Sequence, residues 1–255
     1  MARVYIDAGH GGSDPGAVKH IVERDVNLVM ALACRDYLNA NGVSTKMSRT
    51  SNSTDTSIGN MAREANSWGA DLVVSIHNNA GGGDGFEVYH TVGGGKGKTL
   101  AQNIEAEVKK IGQNSRGLKT RRDTDGTDYY GMIRLTDAPA VICEGVFVDN
   151  ETDVQIADTA DEQKSFGYAY ARGILKTLGI ADNGLSGASG SVATTSAFKV
   201  RVTIKDLYIR TGPGTNYGNK GFIKPGVYTI VETRSGWGKL KSGAGWIYLA
   251  YAVKI

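Results

Sequence analysis

The stretch Arg3-Val4-Tyr5-Ile6-Asp7-Ala8-Gly9-His10-Gly11-Gly12 places a short apolar run directly before a glycine-rich loop. Such a run predicts a buried strand, and the glycines predict a tight turn at its carboxyl end. A second run, Leu72-Val73-Val74-Ser75-Ile76-His77, also ends on a histidine. Neither run has the alternation of a half-solvated strand, so both predict a mostly parallel sheet that is covered on its two faces.

Predicted helices and strands alternate along the first part of the chain. The hydrophobic spacing predicts helices at 25–41, 57–68, 99–111 and 161–178. Strands are predicted at 3–7, 43–47, 72–76, 86–91 and 140–148. This order predicts an α/β fold, with a twisted, mostly parallel sheet flanked by helices on both faces. The polar stretch 113–131 is expected to be a loop.

The composition changes after residue 180. Residues 181–197 are rich in Gly, Ser, Ala and Thr, which predicts a flexible linker. Residues 198–255 carry short β-rich runs broken by Gly and Pro, as in a small all-β barrel. We therefore expect three parts: a domain at 1–180, a linker at 181–197 and a second domain at 198–255.

The net charge of +3 conceals an asymmetry between these parts. Residues 198–255 contain ten Lys or Arg and two Asp or Glu, whereas residues 1–197 contain 19 and 24. A basic domain next to an acidic one suggests that the basic part binds an anionic partner. Solvated cations on a small β-domain are the alternative, and composition alone leaves both open.

The cysteines and the N-terminal residues indicate the cellular compartment in which the protein is made. Cys34 and Cys143 fall in apolar surroundings, so we expect two small buried side chains and no disulfide framework. The residues before the first strand lack the apolar stretch of a signal peptide, and no window reaches the length of a membrane span. We expect synthesis in the bacterial cytoplasm, no stable membrane insertion and no nucleic-acid partner.

Two strand-end histidines and one glutamate are candidate metal ligands. The carboxyl ends of neighbouring parallel strands meet at one edge of a sheet, so His10 and His77 are expected to approach each other there. Glu23 stands at the start of the first predicted helix. Two imidazoles and a carboxylate form the ligand set of an open catalytic zinc site. His20 is expected on the surface, and His90, late in an outer strand, is expected to be structural.

Glu144 is the one charged residue of the apolar run Val141-Ile142-Cys143-Glu144-Gly145-Val146-Phe147. A carboxylate in a buried strand is costly unless it is paired, bound to a metal or functional. It is therefore a candidate general base and acid for hydrolysis next to a metal. The structural alternative is an ion pair with an arginine such as Arg134.

Four motifs in the same order resemble those of the zinc-dependent N-acetylmuramoyl-L-alanine amidases of the amidase-3 type. They are Asp7-Ala8-Gly9-His10-Gly11-Gly12-Ser13-Asp14-Pro15-Gly16-Ala17, Glu23-Arg24-Asp25-Val26-Asn27-Leu28, Ser75-Ile76-His77-Asn78-Asn79-Ala80 and Pro139-Ala140-Val141-Ile142-Cys143-Glu144-Gly145-Val146-Phe147-Val148-Asp149-Asn150. The resemblance spans about residues 1–180 and implies zinc ligation by His10, Glu23 and His77, with Glu144 as catalytic residue.

The implied reaction is hydrolysis of the amide that joins N-acetylmuramic acid to L-alanine of the peptidoglycan stem peptide. Zinc would activate a water molecule, and Glu144 would take its proton and pass it to the alanine nitrogen. Cations of the stretch 113–131 are expected either to contact carboxylates of the peptide or to be solvated: Arg116, Lys119, Arg121 and Arg122. Arg49 and Arg63 are expected to be structural.

Residues 198–255 resemble a bacterial SH3-like module. The resemblance rests on Leu207-Tyr208-Ile209-Arg210-Thr211-Gly212-Pro213-Gly214, Gly236-Trp237-Gly238-Lys239-Leu240 and Gly245-Trp246-Ile247. It implies binding to a cell-wall polymer. Candidate contact residues are the aromatics Tyr208, Tyr217, Trp237 and Trp246, of which at least half are expected in the core.

These features predict a peptidoglycan hydrolase that resembles a phage endolysin. A bacterial autolysin with the same activity would show the same sequence features. Two further hypotheses remain open: a zinc enzyme that cuts peptide bonds within the stem, and a non-catalytic wall-binding protein.

Overall fold

The computed structural model describes residues 1–54, 56–187, 197–205, 207–213, 217–234 and 237–255. The chain divides into two compact units, Met1–Ala188 and Ser189–Ile255. Strands described in the first unit are β1 Arg3–Ala8, β2 Ser44–Met47, β3 Leu72–Asn79, β4 Phe86–His90, β5 Ser115–Lys119 and β6 Ala140–Phe147. Its helices are α1 Glu23–Ala40, α2 Ile58–Trp68, α3 Gly95–Lys110, α4 Gly131–Arg134 and α5 Ala160–Leu178.

The strands of the first unit form one sheet in the order β2-β1-β3-β6-β4-β5. Neighbouring strands are parallel except for β4 and β6, which are antiparallel. The expected mostly parallel sheet is confirmed. Because β4 runs against its neighbour β6, the amino end of β4 lies next to the carboxyl end of β6.

Side chains alternate between two cores, one on each face of this sheet. Val4 and Ile6 of β1 belong to the larger core, with α1, α3 and α5. Tyr5, between them, belongs to the smaller core, with Met61 of α2 and Met132 of α4. Successive side chains of a strand point to opposite faces, so strands covered on both faces are apolar throughout.

The helices end where the sequence supplies capping groups. The Ser57 side chain accepts a hydrogen bond from the Asn60 backbone at the start of α2, and Thr159 and Glu162 form a capping box at the start of α5. Gly69 and Gly179, both left-handed, follow these two helices. The predicted boundaries of α2 and α5 therefore agree with the structure to within one residue.

One expectation is corrected. The stretch expected as a loop contains strand β5, a polar edge strand without the apolar alternation that a sequence search detects. Residues at the start of the stretch expected as a flexible linker are tied to α1, because Tyr37 donates to Asp182 at 2.7 Å and the Asn41 side chain donates to the Gly184 carbonyl at 2.9 Å. Residues 188–196 of the predicted linker lie outside the described residues.

The second unit is an antiparallel sheet with the strand order β13-β7-β10-β11-β12-β8-β9. Its strands are β7 Phe198–Val202, β8 Tyr208–Arg210, β9 Asn219–Phe222, β10 Gly226–Arg234, β11 Trp237–Leu240, β12 Trp246–Tyr248 and β13 Ala252–Lys254. Val200, Ile230 and Ile247 lie at the centre of its core. The antiparallel sheet agrees with the all-β expectation, whereas the SH3-like barrel stays a prediction. Gly214 and Gly236 of its motifs lie outside the described residues.

Both cysteines are buried and free, as expected. Within the described part of the chain, none of the helices combines the length and apolar composition needed to cross a bilayer.

Gly167 sets the approach of α5 to α1. A Cβ at this position would lie 2.2 Å from the Met30 carbonyl oxygen and 2.7 Å from the Ala33 side chain. We expect Gly167→Ala to lower the free energy of unfolding by about 3 kcal/mol, because backbone atoms of α1 must move. The measurement is the urea midpoint of the intact chain.

The matched control is Gly59→Ala in α2, where an added Cβ meets nothing within 4 Å. Alanine is the better helix former, so this variant should be equally stable or up to ~1 kcal/mol more stable. Equal urea midpoints for the two variants would mean that an added Cβ at Gly167 fits between α1 and α5 without displacing the α1 backbone.

Candidate metal centre

The structure brings His10, Glu23 and His77 together from three separate elements. His10 lies two residues beyond β1, Glu23 is the first residue of α1, and His77 lies in β3. One potential ligand atom from each lies within 4.8 Å of the other two. Glu23 Oε1 is 3.1 Å from His10 Nε2 and 3.0 Å from His77 Nδ1. Two imidazole nitrogens and a carboxylate oxygen at this spacing can converge on one cation.

His10 is held in an unusual backbone conformation. Its φ of 64° is the one positive value recorded for a non-glycine residue in the described chain. Such conformations carry strain and are found where a site requires a particular side-chain direction. His10 Nδ1 lies 2.7 Å from Asp14 Oδ2, and Asp14 in turn accepts a hydrogen bond from the Gly16 backbone. This carboxylate orients the ring so that Nε2 points toward Glu23.

Two glycines leave room for the three side chains. A Cβ on Gly9 would lie 2.2 Å from the His77 ring, and one on Gly16 would lie 2.5 Å from Glu23 Oε2. Gly16 also has a φ of +64°, which favours glycine. The glycines of the first motif are thus required by the close approach of His77 and Glu23.

A buried pair of amides connects Glu23 to strand β6. The Asn27 side chain donates to the Gly9 carbonyl at 3.0 Å and to Glu23 at 3.3 Å. The Asn78 side chain donates to Asn27 at 2.7 Å, and its oxygen accepts from the Val146 backbone at 3.0 Å. Sequence reasoning missed Asn27 and Asn78 as site residues. Their signal was their position: Asn27 lies one helical turn from Glu23 on α1, and Asn78 follows His77 on β3.

Glu144 lies beside His77, its direct cross-strand partner. Burial raises the pKa of the Glu144 carboxyl to about 7, and the nearby Glu23 and Glu87 carboxylates add to this rise while His77 opposes it. The alternative pairing with Arg134 is wrong. Arg134 Nη1 donates to the Asp128 and Tyr129 carbonyls and lies 3.6 Å from Asp123.

The three ligand candidates favour a positive charge between them. Burial opposes ionisation of Glu23, but hydrogen bonds from His10 and His77 bring its pKa well below the ordinary value. The hydrogen bond to Glu23 raises the pKa of His10 to about 9, and Asp14 contributes in the same direction. Burial lowers the pKa of His77, but the hydrogen bond to Glu23 and the negative charges of Glu144, Asp7 and Glu23 together outweigh this effect, so the net shift is upward. An anionic carboxylate at this position would equally stabilise a metal cation.

The remaining sequence-predicted residues lie outside this cluster. His20 is exposed, and His90 is buried with its Nδ1 2.8 Å from the Thr91 carbonyl. Arg49 is also buried, and its guanidinium donates to the Ala8 and Gly9 carbonyls at 2.7 and 3.0 Å. Arg49 thus supports the loop that carries His10, in agreement with its expected structural role.

A cavity of about 460 Å³ opens over the cluster. Its lining is polar around the three ligand candidates and Glu144, and apolar on another side, where Ile58, Met61 and Met132 contribute. Ser75 donates to Asp7 at 2.5 Å in the buried lining. The volume suits a small organic group, and the mixture of apolar wall and convergent polar atoms is typical of an active site.

Comparisons with known proteins agree with this arrangement. A family model described as N-acetylmuramoyl-L-alanine amidase matches residues 4–176. The N-acetylmuramoyl-L-alanine amidase CwlM of Bacillus licheniformis is 37% identical over 188 residues, covering 72% of this chain and 71% of the relative. An endolysin of Bacillus phage SPP1 is 31% identical over 271 residues, covering 98% of this chain and 96% of the relative.

The fold is also similar to a solved structure. The catalytic domain of CwlV, an N-acetylmuramoyl-L-alanine amidase from Bacillus (Paenibacillus) polymyxa var. colistinus, aligns with a TM-score of 0.64 at 28% identity. The alignment covers 71% of this chain and 100% of that domain.

The amide pair around Glu23 can be tested by metal affinity. We expect Asn78→Ala to weaken zinc binding about 10- to 100-fold, because Asn27, which donates to Glu23, loses the side chain that links it to β6. The measurement is competition for zinc with a chromophoric chelator. Asn103→Ala, which removes a side-chain bond to Thr177 between α3 and α5, should retain the wild-type affinity. An unchanged affinity for Asn78→Ala in a folded protein would mean that the pair does not position Glu23.

Proposed function

Since this chain belongs to the N-acetylmuramoyl-L-alanine amidase family, we propose that it hydrolyses the amide bond between N-acetylmuramic acid and L-alanine of the peptidoglycan stem peptide. The observation that carries the proposal is the approach of His10, Glu23 and His77 in a cavity that Glu144 also lines. The substrate is a wall polymer, and the reaction needs a cation and a proton carrier at one amide bond.

We propose zinc as the cation. His10 would hold it through Nε2, His77 through Nδ1 and Glu23 through its carboxylate, because these atoms face one another. The donor set of two imidazoles and one carboxylate suits zinc and leaves a coordination position for water or substrate. When bound, the ion supplies Lewis-acid polarisation of the scissile carbonyl and makes a water molecule more acidic.

Glu144 is proposed to move the proton. Its carboxylate would accept a proton from the attacking water and then donate it to the leaving alanine nitrogen. A pKa of about 7 suits both steps, since the group can be ionised for the first and protonated for the second near neutral pH. Asp14 would keep Nε2 of His10 directed at the cation by holding Nδ1.

The second unit is proposed to bind the wall. Tyr208 and Phe222 stack at 4.3 Å and are 39% and 53% exposed. Arg210 Cζ lies 5.3 Å above the Tyr208 ring, which adds a cation to this surface. Trp237 and Trp246, also candidate contact residues, are buried, in agreement with the expectation that at least half of the four aromatics belong to the core. The exposed Tyr208–Phe222 pair suits an apolar sugar or peptide face.

The biological role is proposed to be that of an endolysin, which acts on the wall after release from the cytoplasm. The phage relative covers nearly the whole chain, including the second unit. A bacterial autolysin is the alternative, because the Bacillus licheniformis relative matches the catalytic unit at higher identity. Both roles rest on the same reaction.

Replacement of the proposed proton carrier tests the mechanism. We expect Glu144→Gln to reduce wall hydrolysis about 10³-fold, since the amide can neither accept nor return a proton. Zinc content of the variant should equal that of the wild type, and a chelator should abolish wild-type activity. The measurements are turbidity of wall suspensions, metal content and the new amino termini in the digest.

Glu105→Gln, on helix α3, is the control and should digest walls like the wild type. New termini of L-alanine are expected. Termini from within the stem peptide would refute the amidase, and unimpaired hydrolysis by Glu144→Gln would refute its proton-transfer role.

The exposed aromatic pair tests wall binding. We expect the double variant Tyr208→Ala, Phe222→Ala to sediment with purified walls about tenfold more weakly, a loss of about 1.4 kcal/mol. Tyr251→Ala is the matched control, because Tyr251 is an exposed tyrosine near the opposite sheet edge. Equal weakening in both variants would contradict a localised binding surface at Tyr208 and Phe222.

A further inference from the structure

A row of four paired residues leads from the metal centre to the far edge of the sheet. His77 of β3 pairs with Glu144 of β6, Glu144 with Glu87 of β4, and Glu87 with Gly117 of β5. Adjacent strands lie about 4.8 Å apart, so the row extends about 10 Å from Glu144 to β5. Paired residues share one face of a sheet, so the row lies on the face that carries Glu144.

The end of the row is open, and cationic side chains border it. Gly117 offers no side chain, and a Cβ built on it would meet nothing within 4 Å. Arg116 is the extra residue of a register shift, since Phe86 pairs with Ser115 but Glu87 pairs with Gly117. A bulge of this kind turns a side chain away from the regular alternation of its strand.

Arg116 is anchored by a buried acid and an aromatic ring. Its Nε donates to Glu87 Oε1 at 2.5 Å, and its Cζ lies 5.2 Å from the centre of the Phe147 ring. Glu87 is only 5% exposed and also accepts a hydrogen bond from Asn79, which lines the cavity. The Arg116 side chain, by contrast, remains 44% exposed. A guanidinium held on one side and solvated on the other is preorganised for an anion.

A second cation faces the same acid. Lys119 Nζ lies 3.8 Å from Glu87 Oε1, so Arg116 and Lys119 share one buried carboxylate, with Asp84 as a further acid near Arg116. Arg122 differs, since its guanidinium donates to the Gly126 carbonyl within its own turn. Arg121 packs over the Tyr129 ring, with its Cζ 3.7 Å from the ring centre. Of these four cations, Arg116 and Lys119 are therefore the two that contact Glu87 in the row.

We propose that Arg116, assisted by Lys119, binds a carboxylate on the second residue of the stem peptide. This inference rests on the proposed function, which places the scissile amide beside Glu144. An extended peptide advances about 3.3–3.6 Å per residue, so the second residue lies at most about 7 Å from that amide. This reach exceeds the one strand spacing of about 4.8 Å between Glu144 and Glu87, and the Arg116 guanidinium is held at Glu87. The planar fork of Arg116 suits a carboxylate better than an uncharged amide.

Two substrates that differ in one group test the subsite. They are N-acetylmuramoyl-L-alanyl-D-isoglutamyl-L-lysine, with a free α-carboxylate on the second residue, and its D-isoglutaminyl analogue, with an amide there; the lysine blocks the γ-carboxyl in both. Binding is measured by titration calorimetry with zinc-loaded Glu144→Gln protein, and KM and kcat with the wild type. We expect the carboxylate compound to bind about tenfold more tightly. In Arg116→Ala this preference should disappear because only the carboxylate compound binds more weakly. The KM of that compound should change more than its kcat.

Two variants separate charge recognition from other effects. Arg122→Ala, a cation on the same segment, should keep the tenfold preference. Arg116→Ala combined with Glu87→Gln removes the acid that the first change leaves unpaired, and the preference should remain absent. If this second change restores the preference, the effect came from Glu87 and the subsite is refuted. Equal binding of both compounds by the wild-type site, or equal weakening of both in Arg116→Ala, also refutes it.

Failure of the proposed function would look different. A wild-type enzyme that cleaves neither compound nor any wall at the muramoyl amide contradicts the amidase proposal. The calorimetric preference and its dependence on Arg116 would still decide whether the carboxylate site exists.

Discussion

One buried carboxylate organises the catalytic unit. Glu23 Oε1 lies within 3.1 Å of both His10 and His77, and the Asn78 backbone donates to the same oxygen. Removing a carboxylate from water is costly, so its position requires these partners. They come from the loop after β1 and from β3, whereas Glu23 itself begins α1, and each must be in place for the acid to be accommodated. The arrangement of the sheet and that of the site therefore depend on the same contacts.

Much of this unit could be predicted because its determinants are local. His10 and His77 end apolar runs, and parallel strands bring such ends to one edge. Glu144 was identifiable as a charge in a buried strand. Strand β5 could not be predicted in this way, because an edge strand of polar residues is held by pairing with β4 and has no hydrophobic period of its own. Which of the four candidate aromatics would be buried could not be predicted, because large aromatic residues serve equally in a core and on a binding surface; Trp237 and Trp246 are the buried ones.

The sheet separates two chemical tasks. Strands β1, β3 and β6 position the groups proposed to hold the cation and move the proton, whereas β4 and β5 carry Glu87, Arg116 and Lys119. The reversed direction of β4 makes this possible. Because β4 runs against β6, Glu87 at its amino end stands next to Glu144 near the carboxyl end of β6. An all-parallel strand would place the opposite end of β4 at this position.

The outermost place of β5 in the sheet has a consequence for divergence within the family. An edge strand has a neighbour on one side only, and its bulge at Arg116 already departs from regular pairing. Substitutions there change the periphery without altering the interior strands that support hydrolysis. Bacterial walls of different chemical makeup could thus be matched by exchanging a few residues of β5, while the hydrolytic apparatus is inherited intact.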